Sequence, residues 1–433
     1  MKLRGLHPTV LILAGTHFIV DGFGNILAPL LPLLILNLNL SLAAAGTLQM
    51  FFQLANSVAQ LGFGYIADRW RPRLLLLAGP VLCVTTITLI GLAPDRITLT
   101  FVLVLGGLGG AAFHPPAAAL VHRFSGKQRG MAMSTHITSG TLGQAMAPLV
   151  FAPFVQQFGL RSTPLLMIPA LIALLFFLLR RIPTFDRLQE HHEAGGLSAL
   201  RPYAKPLTLL YLIVVLRTLT AMSFSTFLPV LLTRRGQSLA QAGTVVSIYL
   251  IAVGLGGFIG GPSADRFGPR RVIILSLVCS VPFLMIAPML NGALFIVVLA
   301  VGGFLLQSTL PVNVTFAQLL APISAATVSS LMMGFAWGTG GLTVPLVGMM
   351  ADRIGIERAL VMMSAMPLVA ALLAVSLPSR NQPHITARAS NATTRRSRPR
   401  KSPNTLRSRP RGRRTGRRRS RSSCWRRTRT GSV

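Results

Sequence analysis

Ser41-Leu-Ala-Ala-Ala-Gly-Thr47 recurs, 197 residues further on, as Ser238-Leu-Ala-Gln-Ala-Gly-Thr244. The same shift carries Pro32 onto Pro229, Gly64 onto Gly261, Asp68 onto Asp265, Arg69 onto Arg266, Gly106 onto Gly303 and Pro148-Leu-Val onto Pro345-Leu-Val. Chance does not keep one offset across so many elements, so the chain is an internal duplication. What is duplicated follows from composition: 52% of the 433 residues are hydrophobic and only 12% are charged, too apolar for an ordinary soluble chain. Up to Pro378 the sequence divides into twelve apolar stretches, 9–36, 43–67, 74–94, 97–121, 131–155, 163–180, 207–233, 240–264, 272–290, 293–320, 326–350 and 359–377, most of them near the roughly 20 residues that span a bilayer. Backbone groups in hydrocarbon must bond within their own segment, and a barrel would show short alternating segments, so these spans are helices.

Equivalent points of the duplication lie six spans apart. Six is even, so both halves cross the membrane in the same sense and are related by an axis along its normal, with a substrate site expected near the midplane between them. The expected fold is an all-α membrane protein of twelve transmembrane helices in two parallel-repeat six-helix halves. Its parts are an N-terminal half over 1–180, a cytoplasmic linker over 181–206, a C-terminal half over 207–377 and a basic tail over 378–433. His191, His192 and Glu193 in the linker fit no helix-based ligand set and read as a solvated loop.

Basic residues set the orientation. With both termini cytoplasmic, sixteen Lys and Arg of the body lie on the cytoplasmic side and six on the other. Lys2 and Arg4 lead into an apolar run longer than a secretory core, so the first span is read as retained. The expected location is the inner membrane, multi-pass. Residues 378–433 hold nineteen of the forty-two Lys and Arg and no acid, leaving +14 of the +33 net charge on the body. Such a segment builds no core. Anionic lipid is a possible partner for it, whereas nothing in it specifies a nucleic acid. Cys83, Cys279 and Cys424 are scattered and indicate neither disulfides nor a metal site.

Gly261-Pro-Ser-Ala-Asp265-Arg266-Phe-Gly268-Pro-Arg270-Arg271 resembles the G-x-x-x-D-R-x-G-x-R-R loop of the major facilitator superfamily. The first-half copy, Gly64-Tyr-Ile-Ala-Asp68-Arg69-Trp-Arg71-Pro-Arg73, has Arg71 where glycine is usual. Over about residues 9–377 the chain is similar to the fosmidomycin-resistance branch of that superfamily. This rests on His17-Phe-Ile-Val-Asp21 with Pro32 downstream, Phe52-Gln53 through Gln60, Phe113-His114-Pro115, and Arg217 followed by Phe227-Leu-Pro229. The resemblance implies that Asp68 and Asp265 meet a helix N-terminus of the other half when the cytoplasmic side is shut, with Gly64 or Gly261 permitting the approach. An acid that only organises its own loop is the alternative. Gly140-Thr-Leu-Gly143-Gln-Ala-Met-Ala147-Pro148 resembles the glycine-proline motif of the superfamily's antiporters, with helix packing through Gly140, Gly143 and Pro148.

Ionisable groups at membrane depth are costly and rarely face lipid. Those expected here are His17, Asp21, His114, His136 and Arg217. His17, Asp21 and Asn25 fall at i, i+4 and i+8 on one helical face, which should line a cavity. Arg217 lies one register position from Asp21 across the repeat, so a pair between them is plausible, local satisfaction of each being the alternative. His114 precedes Pro115-Pro116, which are expected to interrupt the fourth span; it either binds substrate, shuttles a proton or packs as a neutral ring. No HExxH, GxSxG or Walker loop is present, so neither an enzyme nor an ATP-driven pump is indicated, and no cofactor or metal is expected. The expected function is proton-coupled export of a small organic molecule or drug by alternating access, with an uptake symporter or facilitator of a small metabolite as the alternative within transport and a polytopic membrane enzyme or sensor as the alternative of another class.

Overall fold

A computed structural model describes residues 6–69, 72–126, 129–179, 200–321, 328 and 331–378. The linker histidines, Arg71, Cys424 and the tail beyond 378 lie outside the described residues, as do the side chains of Asp68 and Arg69. Every element among the described residues is helical. The first span is Pro8–Gly24 continued by Leu27–Asn37, the second Leu42–Arg69, the third Pro72–Ile87, the fourth Arg96–Phe124, the fifth Arg129–Phe158 and the sixth Met167–Leu179. In the second half the seventh is Ala204–Arg234, the eighth Leu239–Phe267, the ninth Pro269–Ile286 and the tenth Gly292–Gln307 with Thr309–Leu320. The eleventh comprises Ala336–Leu342 and Val344–Ile354, and the twelfth Ile356–Met363 and Met366–Val375.

Four of the breaks lie just before prolines. A proline cannot donate to the carbonyl four residues back and its ring crowds that carbonyl. Spans one, ten, eleven and twelve are interrupted within two residues of Asn25, Gln307, Gly341 and Met363, the residues four before Pro29, Pro311, Pro345 and Pro367. Proline alone does not decide: Pro32, Pro80, Pro148, Pro153, Pro229, Pro262 and Pro282 lie inside unbroken helices, and the fourth span runs unbroken through Pro115-Pro116, against the interruption expected from sequence. There the third span holds the backbone closely, since a Cβ added at Gly79 would lie 2.8 Å from the Gly109 carbonyl oxygen and 3.0 Å from the Phe113 nitrogen.

Nine helical segments among the described residues are long and apolar enough to cross a membrane by length and composition. The second, fifth and eleventh spans are not among them, the eleventh because it is broken into short helices; the second and fifth are the polar ones. They carry Gln49, Gln53, Asn56, Ser57 and Gln60, and Ser134, Thr135, His136, Ser139 and Gln144, because they run between the halves and not against lipid alone: the second packs on the eleventh and the fifth on the eighth.

The repeated segment builds these two seams. Ser41 and Ser238 cap the second and eighth helices, Ser41 Oγ accepting from Ala44 N at 3.1 Å and Ser238 Oγ from Gln241 N at 3.2 Å, which satisfies donors that a helix start leaves open. The repeated glycine is where the helices cross. A Cβ at Gly46 would lie 2.8 Å from the Val344 carbonyl oxygen and 2.9 Å from Pro345 Cα; one at its mate Gly243 would lie 2.6 Å from the Pro148 carbonyl oxygen. Beyond each glycine, a side chain of the other half reaches the helix start. Asp352 Oδ1 accepts from Leu42 N and Oδ2 from Ala43 N, both at 2.9 Å. Gln156 Oε1 accepts from Ala240 N at 2.8 Å.

These contacts all lie on the membrane side opposite the termini. There Leu30, Leu31 and Leu34 of the first span share one buried cluster with Leu228, Leu231 and Leu232 of the seventh. On the side where the first span starts, among the described residues, a Cβ at Gly64 would touch only Pro115, at 3.7 Å, one at Gly261 would meet nothing, and Leu61, Tyr65, Phe258 and Ile259 are exposed. The close glycine crossings of the seams therefore lie on the far side.

Candidate functional site

The first span brings its polar face against the fifth, because two glycines of the fifth let the backbones close. A Cβ at Gly143 would lie 2.1 Å from the Phe18 carbonyl oxygen, and one at Gly140 would lie 2.6 Å from His17 Nε2 and 2.7 Å from Asp21 Oδ2. Hence the His17–Asp21–Asn25 face, expected to line a cavity, is largely covered by a helix. Asn25 Nδ2 donates to the Gln144 carbonyl at 3.0 Å, and Gln144 Nε2 donates to Asp21 Oδ2 at 2.9 Å. Pro148 sits one seam further on, against Gly243.

His17 Nε2 is 3.3 Å from Asp21 Oδ2, and His114 Nε2, from the fourth span, is 3.6 Å from Asp21 Oδ1. His17 Nδ1 lies 2.8 Å from the His136 carbonyl oxygen. A carbonyl only accepts, so Nδ1 must carry a hydrogen. In neutral His17 the other nitrogen, Nε2, would then present a lone pair to a carboxylate, acceptor against acceptor. A proton must lie on one of the two, giving either an imidazolium beside a carboxylate or an imidazole beside a carboxylic acid. The His136 ring lies over His17 with centroids 4.3 Å apart, and the His114 ring meets it edge-on at 5.1 Å. The side chains of His17, Asp21 and His114 keep 11%, 14% and 19% exposure, so water reaches the group. Their three ligating atoms lie within 4.8 Å of one another, a spacing that a cation could also bridge.

Arg217 is placed elsewhere. It is fully buried in the seventh span, where its guanidinium donates through Nη1 to Gln307 Oε1 and through Nη2 to Thr218 Oγ1 at 3.2 Å, and lies over the Trp337 ring at 5.8 Å. The Asp21–Arg217 pair is not formed. The repeat register puts the two Cα positions in corresponding places but does not set side-chain direction: Asp21 finds its partners within its own half, and Arg217 bonds through its two terminal nitrogens only. Gln144, Gln307 and Trp337 escape sequence reasoning because a neutral amide or an aromatic inside a span carries no charge to mark it. Gln144 alone had a signal, lying one turn from Gly140 on the face that meets Asp21.

In the signature loop, Gly268 closes the eighth helix with φ +88°, a left-handed conformation that a side chain would strain. Asp265 and Arg266 are exposed, Arg266 lying over Phe267 at 5.3 Å, and Arg270 donates to the Val375 carbonyl. Arg271 is exposed at the start of the ninth helix. Gly64 lies in the last turns of the second helix. On the opposite side of the membrane, outside the spans, Asp95 caps the fourth helix by accepting from Thr98 N at 2.8 Å, which lowers its carboxyl pKa.

Relatives of known sequence agree with this architecture. The chain is 28% identical over 388 residues to the uncharacterized MFS-type transporter YfnC of Bacillus subtilis, covering 86% of this chain and 93% of that one. It is 27% identical over 375 residues to the fosmidomycin resistance protein of Escherichia coli K12, covering 84% and 91%. In three dimensions it superposes with a TM-score of 0.70 on a bacterial homolog of the human lysosomal transporter Spinster, in inward-facing and unoccupied conformation, at 18% identity and covering 84% of this chain and 95% of that one. The family model of the Major Facilitator Superfamily matches twice, over 13–236 and 210–426, once for each half of the duplication, and the chain belongs to that superfamily as a multi-pass membrane transporter.

Proposed function

We propose that the protein is a secondary active transporter of the inner membrane, with both termini in the cytoplasm, that exports a small organic molecule in exchange for protons. The observation that carries the proton is the His17–Asp21 contact: with His17 Nδ1 committed to the His136 carbonyl, the facing Nε2 and Oδ2 need one between them. The proton is held in the first half, with His114 positioned as a second acceptor and Gln144 holding the carboxylate when it is bare. In the orientation set by the basic residues, the seams at Gly46 and Gly243 would shut the outside. Rocking of the halves would open those seams and bring the 64–73 and 261–271 loops together, where Asp68 and Asp265 would act as the latch of the cytoplasmic side.

Fosmidomycin, named in one relative, is the first compound to test. In proteoliposomes with an imposed pH gradient, the unaltered protein should accumulate it, and a dissipated gradient should abolish accumulation. Asp21→Asn keeps the shape of the side chain and removes its titration; it should bind the compound yet accumulate no more than the gradient-free control. Accumulation at the unaltered level by Asp21→Asn would remove Asp21 from the coupling.

A further inference from the structure

Five His, Asp and Arg side chains lie well inside the described spans: three histidines gather around Asp21, and Arg217 stands apart. A guanidinium at membrane depth is expected to pair with a carboxylate. Arg217 has none among the described residues. Its acceptors are the neutral Gln307 Oε1 and Thr218 Oγ1, and its Nε has no hydrogen-bond partner at all. Tyr249 of the eighth span is close enough to interact electrostatically with it, and its buried hydroxyl is also unpartnered. Buried polar groups in native proteins are normally satisfied, and the orphans here are a guanidinium N–H, which only donates, and a hydroxyl that is free to. Such a set lacks an acceptor, and a negatively charged one.

Gln307 is suited to give way to it. It is the last residue of the helix Gly292–Gln307, at the break opposite Pro311, and is only half-buried while Arg217 is fully so. Its amide oxygen, on a residue that is not fully enclosed, supplies without charge the contact that an oxyanion would supply with it. A carboxylate or phosphoryl group adds charge–charge attraction and a bidentate geometry that an amide oxygen cannot offer a guanidinium, so it can displace the amide. The Trp337 ring offers a flat apolar wall beside the charge.

We propose that Arg217, with the Tyr249 hydroxyl, binds an anionic group of the transported molecule, a carboxylate or phosphoryl oxygen, and that Gln307 occupies this position when the transporter is empty. The inference rests on the transport reading above and narrows its substrate class to organic anions. It also divides labour between the halves, the first holding the proton and the second the anion.

The chain has three tryptophans, so Trp70→Phe with Trp425→Phe leaves Trp337 as the only indole reporter. In the purified full-length protein, benzoate and inorganic phosphate are titrated against Trp337 fluorescence, with benzamide and benzylammonium as neutral and cationic controls. At least one anion should give a saturable change and neither control should. Arg217→Gln should weaken the anion response about 10- to 100-fold, the range for losing a hydrogen-bonded charged partner. Gln307→Ala should strengthen it. Gln307→Glu places a carboxylate beside Arg217 and should abolish the response in a protein that folds even if Arg217→Gln does not. A response to benzamide equal to that of benzoate, an anion response surviving Gln307→Glu, or no saturable response to either anion overturns the assignment. The two readings fail separately. pH-driven flux of a neutral compound that needs Asp21 but survives Arg217→Gln sinks only the anion site, whereas anion binding without any pH-driven flux sinks only the coupling.

Discussion

At the scale of single residues, the space left by a missing side chain is as informative as the groups that fill it. Gly140 has no titratable atom, yet a methyl group there would sit within 2.7 Å of both His17 Nε2 and Asp21 Oδ2. Gly140→Ala should therefore push the two apart and alter the pH profile of transport while every ionisable group stays in place; a profile identical to the unaltered protein would show that the His17–Asp21 contact does not set it. His17→Gln, which keeps a donor but cannot carry the proton, should flatten the same profile, and a Gly140→Ala phenotype resembling it would join both effects to one contact. This much of the site was legible: scarcity of charge in the spans singled out His17, Asp21, His114, His136 and Arg217, and the i, i+4, i+8 spacing put Asn25 with the first two. Of the two readings left open for Asp21 and Arg217, local contacts and not a pair describe the acid, because two histidines and the amide of Gln144 already surround it. A neutral amide in a span carries no charge to mark it, so only the spacing from Gly140 pointed to Gln144 and nothing pointed to Gln307.

At the scale of elements, the repeat in the sequence is the seam in the structure. Ser41 and Ser238 start the helices, Gly46 and Gly243 let them cross, and Pro148 and Pro345 are what they cross against. Helices can approach to backbone contact only over small residues, so Gly46→Val and Gly243→Val should each prevent closure on the side opposite the termini. With Cys83, Cys279 and Cys424 replaced by serine, a cysteine at Leu30, now fully buried, reports this directly: labelling by a membrane-impermeant thiol reagent added from outside should rise several-fold in either variant. Unchanged labelling in both would mean that the seams do not control access. The spans and their pairing into halves were readable from apolar length and from the constant offset. The breaks were not, because every proline looks alike in sequence. Pro29, Pro311, Pro345 and Pro367 follow breaks, whereas Pro115, Pro116, Pro148 and Pro229 among others lie inside unbroken helices, and which proline a helix accommodates is a property of the packed bundle.

For the molecule as a whole, transport needs a bundle that can close on either side, and the basic composition beyond Pro378 is expected to build no core. A chain ending at Pro378 should insert and transport normally; lost flux with intact surface expression would show that the basic tail takes part. Within the bundle, the two seams are mates in the repeat but unequal as fasteners. Asp352 grips two N–H groups of the second helix with a full charge, while Gln156 holds one N–H of the eighth with a neutral amide, and charge-assisted bonds are the stronger kind. An even stroke would strain both alike. With fasteners this uneven, the bond between the fifth and eighth helices yields first and the one between the second and eleventh becomes the hinge. The passage then opens as a slot along one flank before it becomes a mouth, and the first solute to pass does so through a side door.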